Sequence, residues 1–138
     1  MKISKRTQYG LRAMVYLAVA QKRKEKICSL KEISGKENIS FDYLEKIISK
    51  LEKKGLVKAK RGAKGGYFLT RPSKEIKVGE IIKVLEGTIA PVKCVAEKGR
   101  KRYHCPRRRI CKTFNVWQKI QNVLNSTLNS ITLADLIK

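Results

Sequence analysis

Three cysteines, Cys94, Cys105 and Cys111, share the stretch CVAEKGRKRYHCPRRRIC with the only histidine, His104, and a dense set of lysines and arginines. Cysteines so placed can be disulfide partners, metal ligands or core residues. The N-terminus MKISKRTQYG has no secretory apolar region. No run of about 18 apolar residues is present to span a membrane. A cytoplasmic location is therefore expected, where thiols stay reduced, and this counts against disulfides.

Metal chemistry remains open in two forms. An iron–sulfur cluster needs thiolates brought together on adaptable backbone. The stretch 88–105 contains Pro91 and Gly99 and no helical stripe, so it is expected to be a loop. A long helix is expected from about Pro106, which puts Cys111 near its start. There the helix N-terminus and the surrounding cations lower a thiol pKa. Arg100, Lys101, Arg107, Arg108 and Arg109 would stabilise an anionic cluster. Zinc is the second form and wants four ligands. Cys94, His104, Cys105 and Cys111 supply that number, but without the short paired spacing of zinc sites, and His104 beside Cys105 strains joint ligation. A protein without metal is the third reading. The fourth cysteine, Cys28, precedes Ser29 and is expected to pack in the core.

Such a segment must be carried by ordered elements. The chain has 138 residues, 42% of them hydrophobic, so it can bury a modest core. Its formal net charge of +22 repels itself unless a polyanion neutralises it, which favours nucleic acid or an anionic membrane surface over mere solubility. Leu11, Met14, Val15 and Ala18 recur at helical spacing and predict a first helix over residues 4–21. Ser29 and Glu32 fit a reciprocal capping box opening a short second helix that ends near Glu37-Asn38. Ser40 caps a third helix, with Ile39 and Leu44 as its staple. Leu44, Ile47, Ile48 and Leu51 form its apolar face, and Gly55 stops it. Two strand-like runs, 56–60 and 67–70, flank the loop Gly62-Ala63-Lys64-Gly65-Gly66. A helix-turn-helix followed by a hairpin with a basic tip is a winged helix, and Arg61 and Lys64 would lie beside a DNA backbone or enter its minor groove. Pro72 and Ser73 close the wing, and Val78, Ile81, Ile82 and Leu85 make a further helical face ended by Gly87. On the long helix, Phe114, Trp117, Ile120, Gln121, Leu124 and Leu128 fall on one side, widened by Val116 and Val123. That is more apolar surface than one small domain covers, so a homodimer is expected. Thr132 is expected to cap a last short helix.

The stretches MKISKRTQYGLRAM, ISFDYLEKIISKLEKKGLVKAKRGAKGGYFL and VGEIIKVLEG together resemble the IscR-like winged-helix transcription regulators of bacteria. The resemblance spans essentially the whole chain, and the RGAKGGYFL wing and the three later cysteines are its most specific parts. It implies a mainly α fold: a winged helix-turn-helix over 1–87, a cysteine-bearing cluster loop over 88–110, and a dimerisation helix with a C-terminal helix over 111–138. It implies that the third helix enters the major groove of double-stranded DNA, presenting Ser40, Asp42, Tyr43, Glu45, Lys46 and Lys50. Ser40 and Tyr43 match family positions that contact DNA. Glu45 matches a glutamate that tunes sequence choice, and a carboxylate can accept from cytosine. Lys46 stands where the iron–sulfur cluster regulator has glutamine. Arg61 matches the family's minor-groove arginine, with Lys64 beside it on the wing.

The resemblance also implies a 2Fe-2S cluster held by Cys94, Cys105 and Cys111. Five residues separate Cys105 from Cys111, as is usual in the family, but ten separate Cys94 from Cys105. The fourth ligand departs further. The family's histidine position is Phe114 here, and the nitric-oxide sensor's aspartate position is Gln8, whose amide oxygen is a poor iron ligand. Gln8 and His104 stay as candidates.

The leading reading is a homodimeric regulator whose DNA affinity follows a cluster. The alternative is a metal-free winged-helix regulator controlled by a protein partner or small molecule, as in the cysteine-metabolism regulator. A general nucleic-acid binder is a third. No nucleophile–histidine–acid set is present, so an enzyme is not expected.

Overall fold

The computed structural model describes residues 2–25, 27–96 and 105–138. Among them are six α-helices and one two-stranded antiparallel sheet. The helices are α1 (Lys5–Lys22), α2 (Leu30–Glu37), α3 (Phe41–Lys53), α4 (Val78–Glu86), α5 (Phe114–Ser130) and α6 (Leu133–Leu136). Strands β1 (Val57–Lys60) and β2 (Gly66–Leu69) lie between α3 and α4, and short 3-10 turns occupy Ser73–Glu75 and Lys93–Val95.

Local chemistry explains most helix ends. Ser4, Ser29 and Ser40 cap α1, α2 and α3 by accepting from the N–H groups of Thr7, Glu32 and Tyr43. Asn38 closes α2 in the left-handed conformation. Gly55, at φ +76°, lets the chain turn out of α3 where a β-carbon would strain the backbone. Thr132 and Asp135 form a complete capping box on α6. The box expected at Ser29 is half made: the Glu32 carboxylate instead accepts from the Tyr16 hydroxyl at 2.6 Å, and that bond helps push the Tyr16 pKa up to about 12.

The core gathers where the helical stripes meet. Leu44, Ile47, Ile48 and Leu51 of α3 are fully buried, as are Ile81 and Leu85 of α4. On α1 the buried line is Thr7, Gly10, Ala13, Met14 and Leu17, with Ala18 and Ala20. Met14 and Ala18 were expected there; Leu11 and Val15 are only partly buried, at the rim. Small residues on this line let α1 cross α3 and α4 closely.

Two long-range connections complete the core. The backbone of Cys28 exchanges both hydrogen bonds with Tyr67 (3.0 and 2.8 Å), a one-residue third strand against the wing. A β-carbon on Gly66 would lie 2.4 Å from the Cys28 carbonyl oxygen, so this approach depends on glycine. Leu133 is fully buried with the winged-helix core, and its N–H donates to the Ile76 carbonyl, while Val78 N–H donates to Ile131. The C-terminal segment is thereby tied back to the wing exit.

One expectation is corrected. The long helix starts at Phe114 and not near Pro106, and residues 106–110 form turns. Arg107, Arg108 and Arg109 in a first helical turn would oppose the positive end of the helix dipole. Arg108 instead stacks on the Phe114 ring, 4.4 Å from its centroid.

Candidate nucleic-acid interface and cysteine segment

Helix α3 divides sharply. Its apolar side is buried, while Ser40, Asp42, Glu45, Lys46, Ser49, Lys50 and Lys53 are exposed around the rest. Tyr43 is half-buried, and its ring meets that of Tyr9 edge to face. The guanidinium of Arg12 lies 5.5 Å from the Tyr9 centroid and also donates to the Glu37 carbonyl at the end of α2. Helix α1 therefore braces both halves of the helix-turn-helix. Phe41, the first residue of α3, is 46% exposed. It falls outside the periodic stripe of the helix.

The wing follows directly. Val57 pairs with Leu69 and Lys60 with Gly66, so the turn lies between Lys60 and Gly66. Arg61 and Lys64 are exposed at its tip, and Lys58 and Lys60 are exposed along β1. The hairpin exit is held by Gln21, whose amide donates to the Arg71 carbonyl and accepts from Ser73 N–H, both at 3.0 Å. The expected α3 residues are thus exposed around the helix, apart from the half-buried Tyr43, and the wing residues are exposed at the tip of the hairpin that follows it.

The cysteines divide by environment. All four are free. Cys28 is buried in the core as expected, and burial is the main cause that pushes its pKa up to about 12. Cys94 sits in the 93–95 turn, and Cys105 and Cys111 are partly exposed. The Cys111 thiol lies below the ordinary range because the Thr113 hydroxyl, 3.3 Å away, hydrogen-bonds it, followed by the Thr113 backbone; Arg107 adds a smaller effect. The expected direction holds, but the leading cause is Thr113 and not a helix beginning at the thiol.

As donors, three unpaired thiols suit iron. In placement, no three histidine, cysteine, aspartate or glutamate side chains gather at metal-binding separation among the described residues. The candidate fourth ligand His104 lies outside the described residues, as do Arg100 and Lys101. Gln8 donates its amide to the Ile3 carbonyl at 3.0 Å.

The first turn of α1 is clasped to the end of α4. The Glu86 carboxylate accepts from the Ser4 hydroxyl at 2.7 Å, from the Ser4 N–H and from the Thr7 hydroxyl. These bonds, that of Thr7 first, hold its pKa below the usual carboxylate range. Arg6 donates to the Leu85 carbonyl at 2.9 Å beside it.

The profile of the Rrf2 family, described as an iron-dependent transcriptional regulator, matches residues 3–138. The chain belongs to the Rrf2 family of transcriptional regulators. It is 40% identical over 136 residues to the HTH-type transcriptional regulator CymR of Bacillus subtilis, covering 99% of this chain and 89% of that one. It is 37% identical over 138 residues to the protein rrf2 of Nitratidesulfovibrio vulgaris, covering 100% of this chain and 88% of the relative. The solved structure of T. potens IscR superposes with a TM-score of 0.73 at 37% identity, covering 99% of this chain and 86% of that chain. The family and the CymR relative are named as transcriptional regulators and not as enzymes.

Within the Rrf2 fold, α5 leans on α4. A β-carbon on Gly79 would lie 3.1 Å from the β-carbon of Leu128, so the two helices approach closely there. Gln121 is buried on this side, donating to Asn125 at 3.1 Å. Val116, Ile120 and Val123 remain 51%, 36% and 65% exposed at i, i+4, i+7 spacing. No helix among the described residues is long and apolar enough to cross a membrane.

Proposed function

We propose that this Rrf2-family regulator binds double-stranded DNA as a homodimer in the cytoplasm, with α3 in the major groove and the wing tip against the backbone or minor groove. The observation that carries this reading is the division of α3: every residue of its apolar face is buried, while Ser40, Asp42, Glu45, Lys46 and Lys50 stay exposed, and the hairpin that follows exposes Arg61 and Lys64 at its tip. Tyr43 would stand at the edge of that surface, held by Tyr9. In this reading Ser40 and Tyr43 position the helix, Glu45 and Lys46 discriminate base pairs, and Arg61 enters a narrow A·T groove. The exposed Val116, Ile120 and Val123 stripe supports pairing of two chains along α5, which would set the spacing of two half-sites.

Selection from a random duplex library at fixed salt tests this. A dimer by sedimentation and one enriched, two-fold symmetric sequence are expected. Binding with a steep salt dependence but no sequence preference would leave only a general nucleic-acid binder.

The finer reading is a 2Fe-2S cluster on Cys94, Cys105 and Cys111. Its support is the set of three unpaired thiols, the Cys111 pKa lowered by the Thr113 hydroxyl, in a strongly basic segment, together with the family's description as iron-dependent. Metal sites often gather their ligands only on binding, so separated thiols are compatible with it. When bound, a cluster would supply a group that responds to oxidants. Iron and sulfide content of protein prepared without oxygen tests the assignment: alanine at Cys94, Cys105 or Cys111 should each remove the colour.

The second reading is a metal-free regulator answering to a protein partner or small molecule. It is favoured by the 40% identity to CymR, named as the global cysteine regulator of B. subtilis. Colourless, iron-free protein from oxygen-free handling that still selects a duplex would establish it.

A further inference from the structure

Phe41 is a large aromatic standing 46% exposed at the first position of α3. The apolar face of the helix is complete with Leu44, Ile47, Ile48 and Leu51. The residue that anchors the chain's entry into the helix is Ile39, buried to 3%. The aromatic pair on this helix is Tyr43 with Tyr9, and the cap is the Ser40 hydroxyl.

Its neighbours narrow what it can meet. Glu45 lies one turn along on the same side, and Asp42 follows in sequence; both are exposed carboxylates. Carboxylates repel phosphate, so this corner of the helix is suited to base edges and not to the backbone. A recognition helix touches base edges chiefly with its N-terminal residues. On the major-groove edges, where Glu45 can accept from the amino group of cytosine, the one apolar feature is the C5-methyl group of thymine.

We infer that Phe41 is a specificity-determining residue that contacts the C5-methyl of a thymine next to the base pair faced by Glu45. This rests on the DNA-binding reading above and adds to it a chemical preference at one position. The ring removes the methyl from water, and the protein distinguishes thymine from cytosine there without a hydrogen bond.

The test uses the full chain and the duplex it selects from a random library. Each thymine of one half-site is replaced in turn by deoxyuracil, which removes only the methyl group. For the unaltered protein, one position should weaken binding by about fourfold, the value of burying one methyl-sized group. Phe41→Ala, checked for folding by circular dichroism, should bind the thymine duplex more weakly and be indifferent to uracil at that position. Phe41→Leu should keep part of the discrimination. If uracil has no effect at any position, or affects the unaltered protein and Phe41→Ala equally, the assignment is overturned while the DNA-binding reading stands. If no duplex is enriched at all, the DNA-binding reading fails and this inference goes with it.

Discussion

The rings of Tyr9, on α1, and Tyr43, on α3, meet edge to face with centroids 5.9 Å apart and planes at 85°. Arg12 covers Tyr9 and reaches the end of α2, so Tyr9 and Arg12 link the first helix to both helices of the helix-turn-helix. Such aromatic pairs contribute about 0.5–1.5 kcal/mol beyond their buried area. Tyr9→Phe should leave stability and duplex affinity within about twofold, because the ring pair persists. Tyr9→Ala should lower both, with duplex affinity falling about three- to tenfold in fluorescence anisotropy as Tyr43 loses its brace. Unchanged affinity in a folded Tyr9→Ala protein would show that Tyr43 needs no such support.

Glu86 should make stability depend on acid. Its pKa is lowered in the folded protein, chiefly by the Thr7 hydroxyl and then by Ser4. A lowered carboxyl pKa contributes stability that is fully present above the unfolded value of about 4.3 and is lost as pH falls through the folded value. In urea titrations, the difference between the natural chain and Glu86→Gln should be constant above about pH 5 and shrink below it. Glu86→Ala should cost about 1–3 kcal/mol at neutral pH, because the Thr7 hydroxyl, only 1% exposed, loses its carboxylate acceptor.

The cysteines should differ in reactivity. Cys111 has a lowered pKa, led by the Thr113 hydroxyl, whereas Cys28 is pushed up to about 12, mainly by burial. Alkylation of metal-free protein, followed by peptide mass spectrometry across pH, should modify Cys111 at lower pH than an ordinary thiol and leave Cys28 untouched until the chain unfolds. Thr113→Val should move the Cys111 profile to higher pH. An unchanged profile would assign the shift to the backbone N–H groups of Thr113 and Phe114 and to Arg107.

The wing should fail if Gly66 gains a side chain. The β-carbon would lie 2.4 Å from the Cys28 carbonyl oxygen and 2.8 Å from the Ser29 nitrogen, both rigid backbone atoms. Gly66→Ala should cost about 1–3 kcal/mol, and amide exchange should speed at Tyr67 and Cys28, whose mutual hydrogen bonds must separate. A fully stable variant with protected amides would mean that the segment moves aside freely.

At the wing tip, Arg61→Ala and Lys64→Ala should each weaken duplex binding. Each should reduce the slope of log affinity against log salt by about one for every phosphate left without its cation. A weakened Arg61→Ala protein with an unchanged slope would place that side chain away from the phosphates.

The local architecture was legible in the sequence because its causes are local. Leu44, Ile47, Ile48 and Leu51, and then Val78, Ile81, Ile82 and Leu85, announce their helices by spacing and are buried as that spacing requires. Ser29, Ser40 and Thr132 mark helix starts because a side-chain oxygen one turn from a free N–H satisfies it wherever the chain lies. The glycine-rich stretch between two short β-forming runs sufficed for the wing.

What the tertiary structure decided depends on partners far apart in sequence. Nothing near Gly66 shows that Cys28 passes against it, nothing near Glu86 shows that Ser4 and Thr7 come to it, and nothing near Leu133 shows that it returns to the core. The start of α5 was misplaced for a related reason. Pro106 signals a helix start locally, but the three arginines after it oppose the helix dipole, and the long helix begins at Phe114 under Arg108. Periodicity states that a face will be buried and leaves open against what. Long-range packing made that choice here, leaving Val116, Ile120 and Val123 exposed while Gln121 turned inward.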